Sequence, residues 1–307
     1  MCCLFGFLDY GNKLNIKQKN KIISVLSREC EERGTDATGI SFNARDGLHI
    51  HKKPLPAHKA KLYIPENVKV VMGHTRFTTQ GSEKHNYNNH PFRGTTCNGQ
   101  FALAHNGVLR NDEILRIVHK LPDTNIETDS YVAVQLIEKK QQLSFDSLKF
   151  MAESVSGSFC FTVLDEKDNL YLIKGDNPMT IYDFPALGMV IYASTKTILD
   201  KAIKKMKIHK FTHNEIKING GDILKISSDG ITERDKFDYD DWFYNFTYSS
   251  LPYTQPRRDD SYITLLKNNA GYFGMTEADI DFYLDNGFEP EDIEDMMYSC
   301  EYATGYF

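Results

Sequence analysis

The chain lacks any apolar run near the roughly 18 residues a bilayer-spanning helix needs. Its N-terminal apolar stretch stops at Asp9 and has no basic lead, so neither a membrane span nor a secretory signal is expected. The six cysteines (2, 3, 30, 97, 160 and 300) form no Cys-x-x-Cys pair and no zinc-like Cys/His spacing. The ten histidines show no His-Glu-x-x-His pattern. These absences predict a reduced, cytoplasmic protein without metal or cofactor. There is no internal repeat and no low-complexity tract, and an acidic chain without a basic stripe is not expected to bind nucleic acid. With 307 residues, 41% apolar and 25% charged, the composition is that of an ordinary globular protein: one large domain with an appendix, or two modest domains.

What is present is unevenly distributed. Up to residue 230 the chain carries 31 Lys and Arg against 25 Asp and Glu; beyond it, 5 against 17. The last stretch also holds ten of the 17 tyrosines and the single tryptophan, Trp242. A boundary is therefore expected near 230. Residues 231–270 read as an aromatic, acidic linker or docking segment broken by Pro252 and Pro256. Residues 271–307 read as an acidic helical hairpin. Thr276-Glu277-Ala278-Asp279 resembles a capping box, Asn286-Gly287 a helix end, and Ile293, Met296, Met297 and Cys300 share one face of the second helix.

Before that boundary the pattern is α+β. A short buried strand is expected over 3–9, then a helical pattern through Ile22, Ile23, Val25 and Leu26 towards Cys30. Strand-like segments recur at Thr38–Phe42, Val68–Met72, Phe101–Ala104, Phe159–Leu164, Tyr171–Lys174, Met189–Ala193 and Ile223–Ile226. Amphipathic helices are expected at Asn111–His119 and at Asp129–Lys140, the second capped by Thr128 or Asp129. The elements do not alternate strictly, which argues against a doubly wound sheet.

Cys2 stands directly behind Met1. Removal of Met1 leaves a thiol nucleophile and a free α-amine on one Cα. The amine, with an ordinary pKa of about 7.7–8.0, can act as base for its own thiol. Two plainer readings compete: a lipid attachment site, or the first buried residue of a strand. Four polar clusters follow: Arg33-Gly34-Thr35-Asp36-Ala37-Thr38-Gly39, Gly73-His74-Thr75-Arg76-Phe77 running on to Gly81, His105-Asn106-Gly107, and Glu127-Thr128-Asp129-Ser130. Singly, each is explained as a turn, a hairpin signal or a hydrogen-bonded core histidine.

Together and in this order they resemble the glutaminase domain of the class II glutamine amidotransferases, members of the N-terminal nucleophile hydrolases. The likeness is closest to the branch of glucosamine-6-phosphate synthase and the purine-pathway amidophosphoribosyltransferase, and it covers residues 2–230. Asn89-His90-Pro91 and Ala193-Ser194 are weaker echoes. The resemblance implies a four-layer αββα sandwich and, as function, hydrolysis of the L-glutamine side-chain amide through a Cys2 thioester. Asn106 and Gly107 are then the oxyanion hole. Arg76 and Thr79 hold the substrate carboxylate beside Phe77, and Asp129 takes the α-ammonium; in a purely structural reading Arg76 and Asp129 pair with each other. The loop Gly73–Gly81 is expected to close over glutamine. Two departures stand out: Cys3 where the family usually has glycine, and Gln80 where the sugar-linked branch has histidine. Residues 231–307 offer no room for an acceptor domain and no phosphate-cradling loop. The resemblance therefore implies a separate ammonia-accepting enzyme as partner, and leaves open an assembly of identical copies. Another small γ-glutamyl amide as substrate, or a non-catalytic binding role, also stays open.

Overall fold

The computed structural model describes residues 2–239, 260–271 and 275–286, together with 288, 290, 293 and 297. The chain starts with β1 (Cys3–Asp9), every residue of which is buried, and turns into α1 (Ile16–Glu29). Asn15 begins that helix with a capping box: its side chain accepts the Gln18 N–H at 3.0 Å, and the Gln18 side chain accepts the Asn15 N–H at 2.9 Å. The hairpin β2 (Ala37–Ala44) and β3 (Gly47–Lys53) follows, then the single turn α2 (Ala57–Ala60) and β4 (Val70–Arg76). Next come β5 (Phe92–Thr96), β6 (Gly99–Leu109), and the helices α3 (Asp112–His119), α4 (Tyr131–Lys139) and α5 (Phe145–Ser154). A run of strands then closes both sheets: β7 (Gly157–Asp165), β8 (Leu170–Lys174), β9 (Thr180–Phe184) and β10 (Met189–Ala193). The first unit ends with α6 (Lys196–Met206), β11 (Asn214–Glu215), β12 (Asp222–Ile226) and β13 (Thr232–Lys236).

All strand pairings are antiparallel. One sheet runs β11-β9-β10-β1-β4-β2-β3, the other β13-β12-β8-β7-β6-β5. The two-residue period of β1 decides what each face meets. Cys3, Phe5 and Phe7 point into the cluster that includes Ile23 and Leu26 of α1 and Leu199 of α6. Leu4 and Leu8 point the other way, towards Ala102, Ala104 and Cys160 of the second sheet. A third cluster packs α4 and α5 on the outer face of that sheet through Val132, Leu136 and Leu148. The result is helices, sheet, sheet, helices. Each fully buried Phe, Leu or Ile in these layers is worth about 1.5–3 kcal/mol of transfer free energy.

Several local expectations need correction. The helix after Glu127 begins at Tyr131, flanked by Ser130, and has no side-chain cap. Neither Thr128 nor Asp129 serves as cap, because the Asp129 carboxylate is drawn off to the backbone of Leu109 and Ser130. Residues Gly73 to Arg76 are strand and not loop, since Gly73 pairs with Phe5 on one side and Ile40 on the other. Past the composition change at 230, β13 still pairs with β12, and the first compact unit runs to Asp241.

The second unit, Trp242–Phe307, is helical where it is described. Residues 231–270, read from sequence as linker or docking segment, include β13 and α7 (Asp260–Ala270); residues 240–259 lie outside the described residues. Within 271–307, α8 (Glu277–Asp285) is opened by the Thr276–Asp279 capping box and ended by Asn286. Leu266, Ala270, Ile280, Leu284, Ile293 and Met297 form its buried cluster. Met296 and Cys300 lie outside the described residues.

Candidate active site

Antiparallel pairing of β1 with β4 sets Cys3 opposite Thr75, which brings Cys2 beside the end of β4 where Arg76 sits. Ser194 fixes the same end of β1 from the other side. Its Oγ accepts the Leu4 N–H at 2.8 Å and its own N–H donates to the Leu4 carbonyl at 2.9 Å. The Arg33-Gly34-Thr35-Asp36 turn braces this corner. Arg33 Nε donates to the Cys2 carbonyl at 3.0 Å, and Asp36 Oδ2 accepts the Thr78 N–H at 2.7 Å. Gly34 lies against the backbone of Arg76 and Phe77, where a Cβ would come within 2.6 Å of the Arg76 carbonyl carbon. No larger residue fits there.

A narrow cleft opens at this corner. It is lined by Cys2, Arg76, Phe77, Thr79 and Gln80 from the first sheet's side and by His105, Gly107, Thr128, Asp129 and Ser130 from the second, with His90 between them. Of the seven residues singled out from sequence, six line this cleft. The seventh, Asn106, follows His105 on β6, and its neighbour Gly107 has φ +141°, with the Ser158 carbonyl 2.0 Å from where a Cβ would be. Asn106 is fully buried, yet neither its side-chain oxygen nor its nitrogen has a partner among the described residues. A buried amide in that state costs about 1–3 kcal/mol.

The charges are arranged for a dipolar guest. Arg76 is buried and donates to Asn89 Oδ1 at 2.7 Å and to the carbonyls of Gln80 and Gly81 at 2.5 and 3.1 Å. Burial pulls its pKa down from the ordinary value, against the nearby negative charges. Asp129 accepts the Leu109 N–H at 2.6 Å and the Ser130 N–H at 2.7 Å. Burial raises its pKa, against those hydrogen bonds and Arg76. Among the described residues the two form no ion pair, so the mutual salt bridge is not made. A cationic and an anionic group thus face one cleft, close enough to act on each other's ionisation without a direct ion pair.

The thiol itself is not pre-ionised. Burial pushes the Cys2 pKa up, opposed by the amino-terminal charge, the Phe77 backbone and Arg76. Its Sγ donates only a long 3.5 Å contact to the Phe77 carbonyl. Histidines do not supply a base. Burial holds His74 and His105 down to about 3, so both are neutral, and His74 Nε2 donates to the His105 carbonyl at 2.9 Å. His105 Nδ1 meets Ser130 Oγ at 2.7 Å. His105 is thus the hydrogen-bonded core histidine of the plainer sequence reading, with one edge on the cleft. His90 is driven well below its ordinary value by burial and by its histidine neighbours. Among the described residues no group of three or more His, Cys, Asp or Glu is placed to hold a metal ion, and no helix is long and apolar enough to cross a membrane.

Sequence reasoning did not assign Gln80, Ser130 or His90 to the cleft. Gln80 was noticed as a departure, and its position one residue after Thr79 was the available signal. Ser130 follows Asp129 directly. His90 reaches the cleft by folding of the 82–91 segment, and its signal in the sequence was the weak Asn89-His90-Pro91 echo.

No protein-family model matches the chain. By sequence it is 31% identical over 193 residues to the glutamine–fructose-6-phosphate aminotransferase (isomerizing) of Sulfurisphaera tokodaii, covering 59% of this chain and 31% of that enzyme. It is 29% identical over 247 residues to the Staphylococcus aureus enzyme of the same name, covering 77% of this chain and 39% of the relative. The chain thus spans well under half the length of these relatives. Among solved structures, the glutamine phosphoribosylpyrophosphate amidotransferase of B. subtilis superimposes with a TM-score of 0.58 at 21% identity, over 78% of this chain and 50% of that one. An allosteric regulatory enzyme of purine biosynthesis gives 0.60 at 19%, with the same coverage. At those identities the structures speak to the fold alone, which this chain shares with them. In sequence and in fold the chain resembles glutamine amidotransferases.

Proposed function

We propose that this protein hydrolyses the side-chain amide of L-glutamine through a thioester on Cys2 and delivers the ammonia to an acceptor on a separate partner enzyme. The observation that carries this reading is the placement of Arg76 and Asp129, with no ion pair between them, in the cleft that also holds Cys2. A free α-amino acid has one carboxylate and one ammonium to satisfy them, and a peptide amide has neither. Arg76 suits a planar carboxylate through two parallel hydrogen bonds.

With Met1 removed, the Cys2 α-amine takes the thiol proton and the thiolate attacks the amide carbon. Oxyanion charge falls to the Asn106 side-chain N–H and the Gly107 backbone N–H, each such donor being worth about 3–4 kcal/mol in the transition state. The protonated amine returns its proton to the departing nitrogen, leaving the γ-glutamyl thioester. Water, deprotonated by the same amine, then releases glutamate and restores the thiol.

The test is glutamate release from L-glutamine by the purified chain, with intact-mass analysis of Met1 removal and Cys2→Ala as control. Release by the processed wild type alone is expected. Turnover of γ-glutamyl amides lacking the free α-carboxylate at the same rate as glutamine would replace glutamine as the substrate. Absence of both turnover and a Cys2 adduct with a glutamine-like electrophile would leave a binding role.

A further inference from the structure

We infer that Cys3 and Cys30 are a thiol-oxidation site, a pair that closes to a disulfide directly behind Cys2 and turns the cleft off. Cys3 lies on the helix-facing side of β1, and Cys30 is the residue that ends α1 and begins the turn Cys30–Glu32. Both are fully buried, and their sulfurs share a hydrogen at 3.0 Å. A disulfide bond is about 2.05 Å long, so closure asks for an approach of about 1 Å. Cys97 is exposed and Cys160 faces the other sheet, so neither competes for this pairing.

The two thiols are electrostatically unequal. Burial opposes ionisation of both. For Cys3 the Cys30 thiol, the Ser194 groups and Arg33 outweigh it and lower the pKa. Cys30 is pushed well up by burial and by its neighbour. In the proposed sequence of steps Cys3 is the attacking sulfur and Cys30 the resolving one. The oxidant is a hydroperoxide. With hydrogen peroxide, the Cys3 thiolate attacks one oxygen and forms a sulfenic acid, and the other oxygen leaves as hydroxide, which takes up a proton to become water. Cys30 sulfur then displaces the sulfenic oxygen, which departs as a second water with the Cys30 proton. Two S–H bonds and one O–O bond break, one S–S bond and two waters form, and the two sulfurs together lose two electrons to the peroxide.

The coupling to the cleft runs through one short turn. Arg33, three residues past Cys30, holds the Cys2 carbonyl at 3.0 Å. The Cys30 carbonyl accepts Thr75 Oγ1 at 2.9 Å, and Thr75 precedes Arg76 and pairs with Cys3. Drawing Cys30 onto Cys3 shifts the anchors of the nucleophile and of Arg76 together, and a displacement near 1 Å at reacting groups costs up to about 10²-fold in rate.

The activity readout rests on the glutaminase reading above; the cross-link does not. The full chain is treated with hydrogen peroxide in steps, its free thiols are blocked in denaturant, and the protein is weighed and peptide-mapped. The expected result is a loss of about 2 Da joining the Cys3 and Cys30 peptides, in wild type and in Cys2→Ala alike. In wild type, kcat/KM for glutamine falls at least tenfold and returns with dithiothreitol. Cys30→Ser and Cys30→Ala, checked for folding by thermal melts, show neither the link nor the recoverable loss. No Cys3–Cys30 link in either background, under peroxide that fully oxidises Cys2, overturns the pair. A link with unchanged activity overturns the switch.

Discussion

The Gln80 side-chain oxygen accepts the Asp129 backbone N–H at 3.0 Å while the Gln80 carbonyl accepts Arg76 Nη2 at 2.5 Å. One residue thereby sets the distance between the two charged ends of the cleft. Gln80 is exposed, so its truncation leaves no buried void. Gln80→Ala is expected to raise KM for glutamine by about tenfold, equivalent to about 1.4 kcal/mol, with kcat within a factor of two. Steady-state kinetics decide it; an equal fall in kcat would place Gln80 in the chemistry.

Asn106 gives the opposite split. Its side chain makes no hydrogen bond among the described residues, so Asn106→Ala removes an unpaired amide. Stability is expected to hold within about 1 kcal/mol, because relief of the orphaned amide offsets the small cavity. The catalytic constant is expected to fall about 10²–10³-fold through loss of an oxyanion donor. Urea melts and kcat, measured on the same preparation, check both halves.

Asp9 tests the scaffold. Its carboxylate meets Lys19 Nζ at 2.9 Å with both side chains almost wholly buried, and it also accepts the N–H groups of Lys13 and Leu14. Lys19 further donates to the Val68 carbonyl at 2.7 Å. Asp9→Ala strands the lysine and is expected to destabilise the fold by about 3–5 kcal/mol. Asp9→Ala with Lys19→Met should recover much of that loss, as judged by denaturant midpoints.

Acid should weaken the fold through His74 and His105. Both stand at about 3 when folded, chiefly through burial, against 6.5 for an ordinary histidine. Below pH 6.5 the unfolded chain binds two protons that the folded chain refuses, so unfolding takes up protons and stability falls as pH falls. The contribution is fully present above 6.5 and is lost progressively towards pH 3, at about 1.4 kcal/mol per pH unit for each histidine. Urea unfolding at pH 7.5, 6 and 5 measures the slope. A flat profile across that range would mean that these histidines are not buried as neutral groups.

Much of the core was legible from local pattern. Met189–Ala193 matches β10 residue for residue, and the helix read at 111–119 is α3 with Asn111 at its entrance. The strands β3, β5, β9, β11 and β13 carry no such pattern. His49, His51 and Lys53 on β3 and Thr232 to Lys236 on β13 lack the apolar content of a buried strand, and both strands lie at sheet edges, where pairing needs no buried face. The helix α6 was also passed over. Lysines at 196, 201, 204 and 205 dilute the spacing of Ile198, Leu199, Ala202, Ile203 and Met206, which alone face the core.

For the cleft, the sequence by itself determined which chemical groups are available: a thiol two residues from the start, an arginine, an amide followed by glycine, and an aspartate. Those are covalent facts, and their order along the chain was enough to suggest a family. Only the tertiary structure decided that Arg76 and Asp129 stay apart, that Gln80 links them, and that Cys3 meets Cys30. Each of those contacts joins residues 4 to 49 positions apart through strand register, loop path and sheet packing. Such contacts depend on how two sheets and their helices exclude water around one corner, and no local spacing records that.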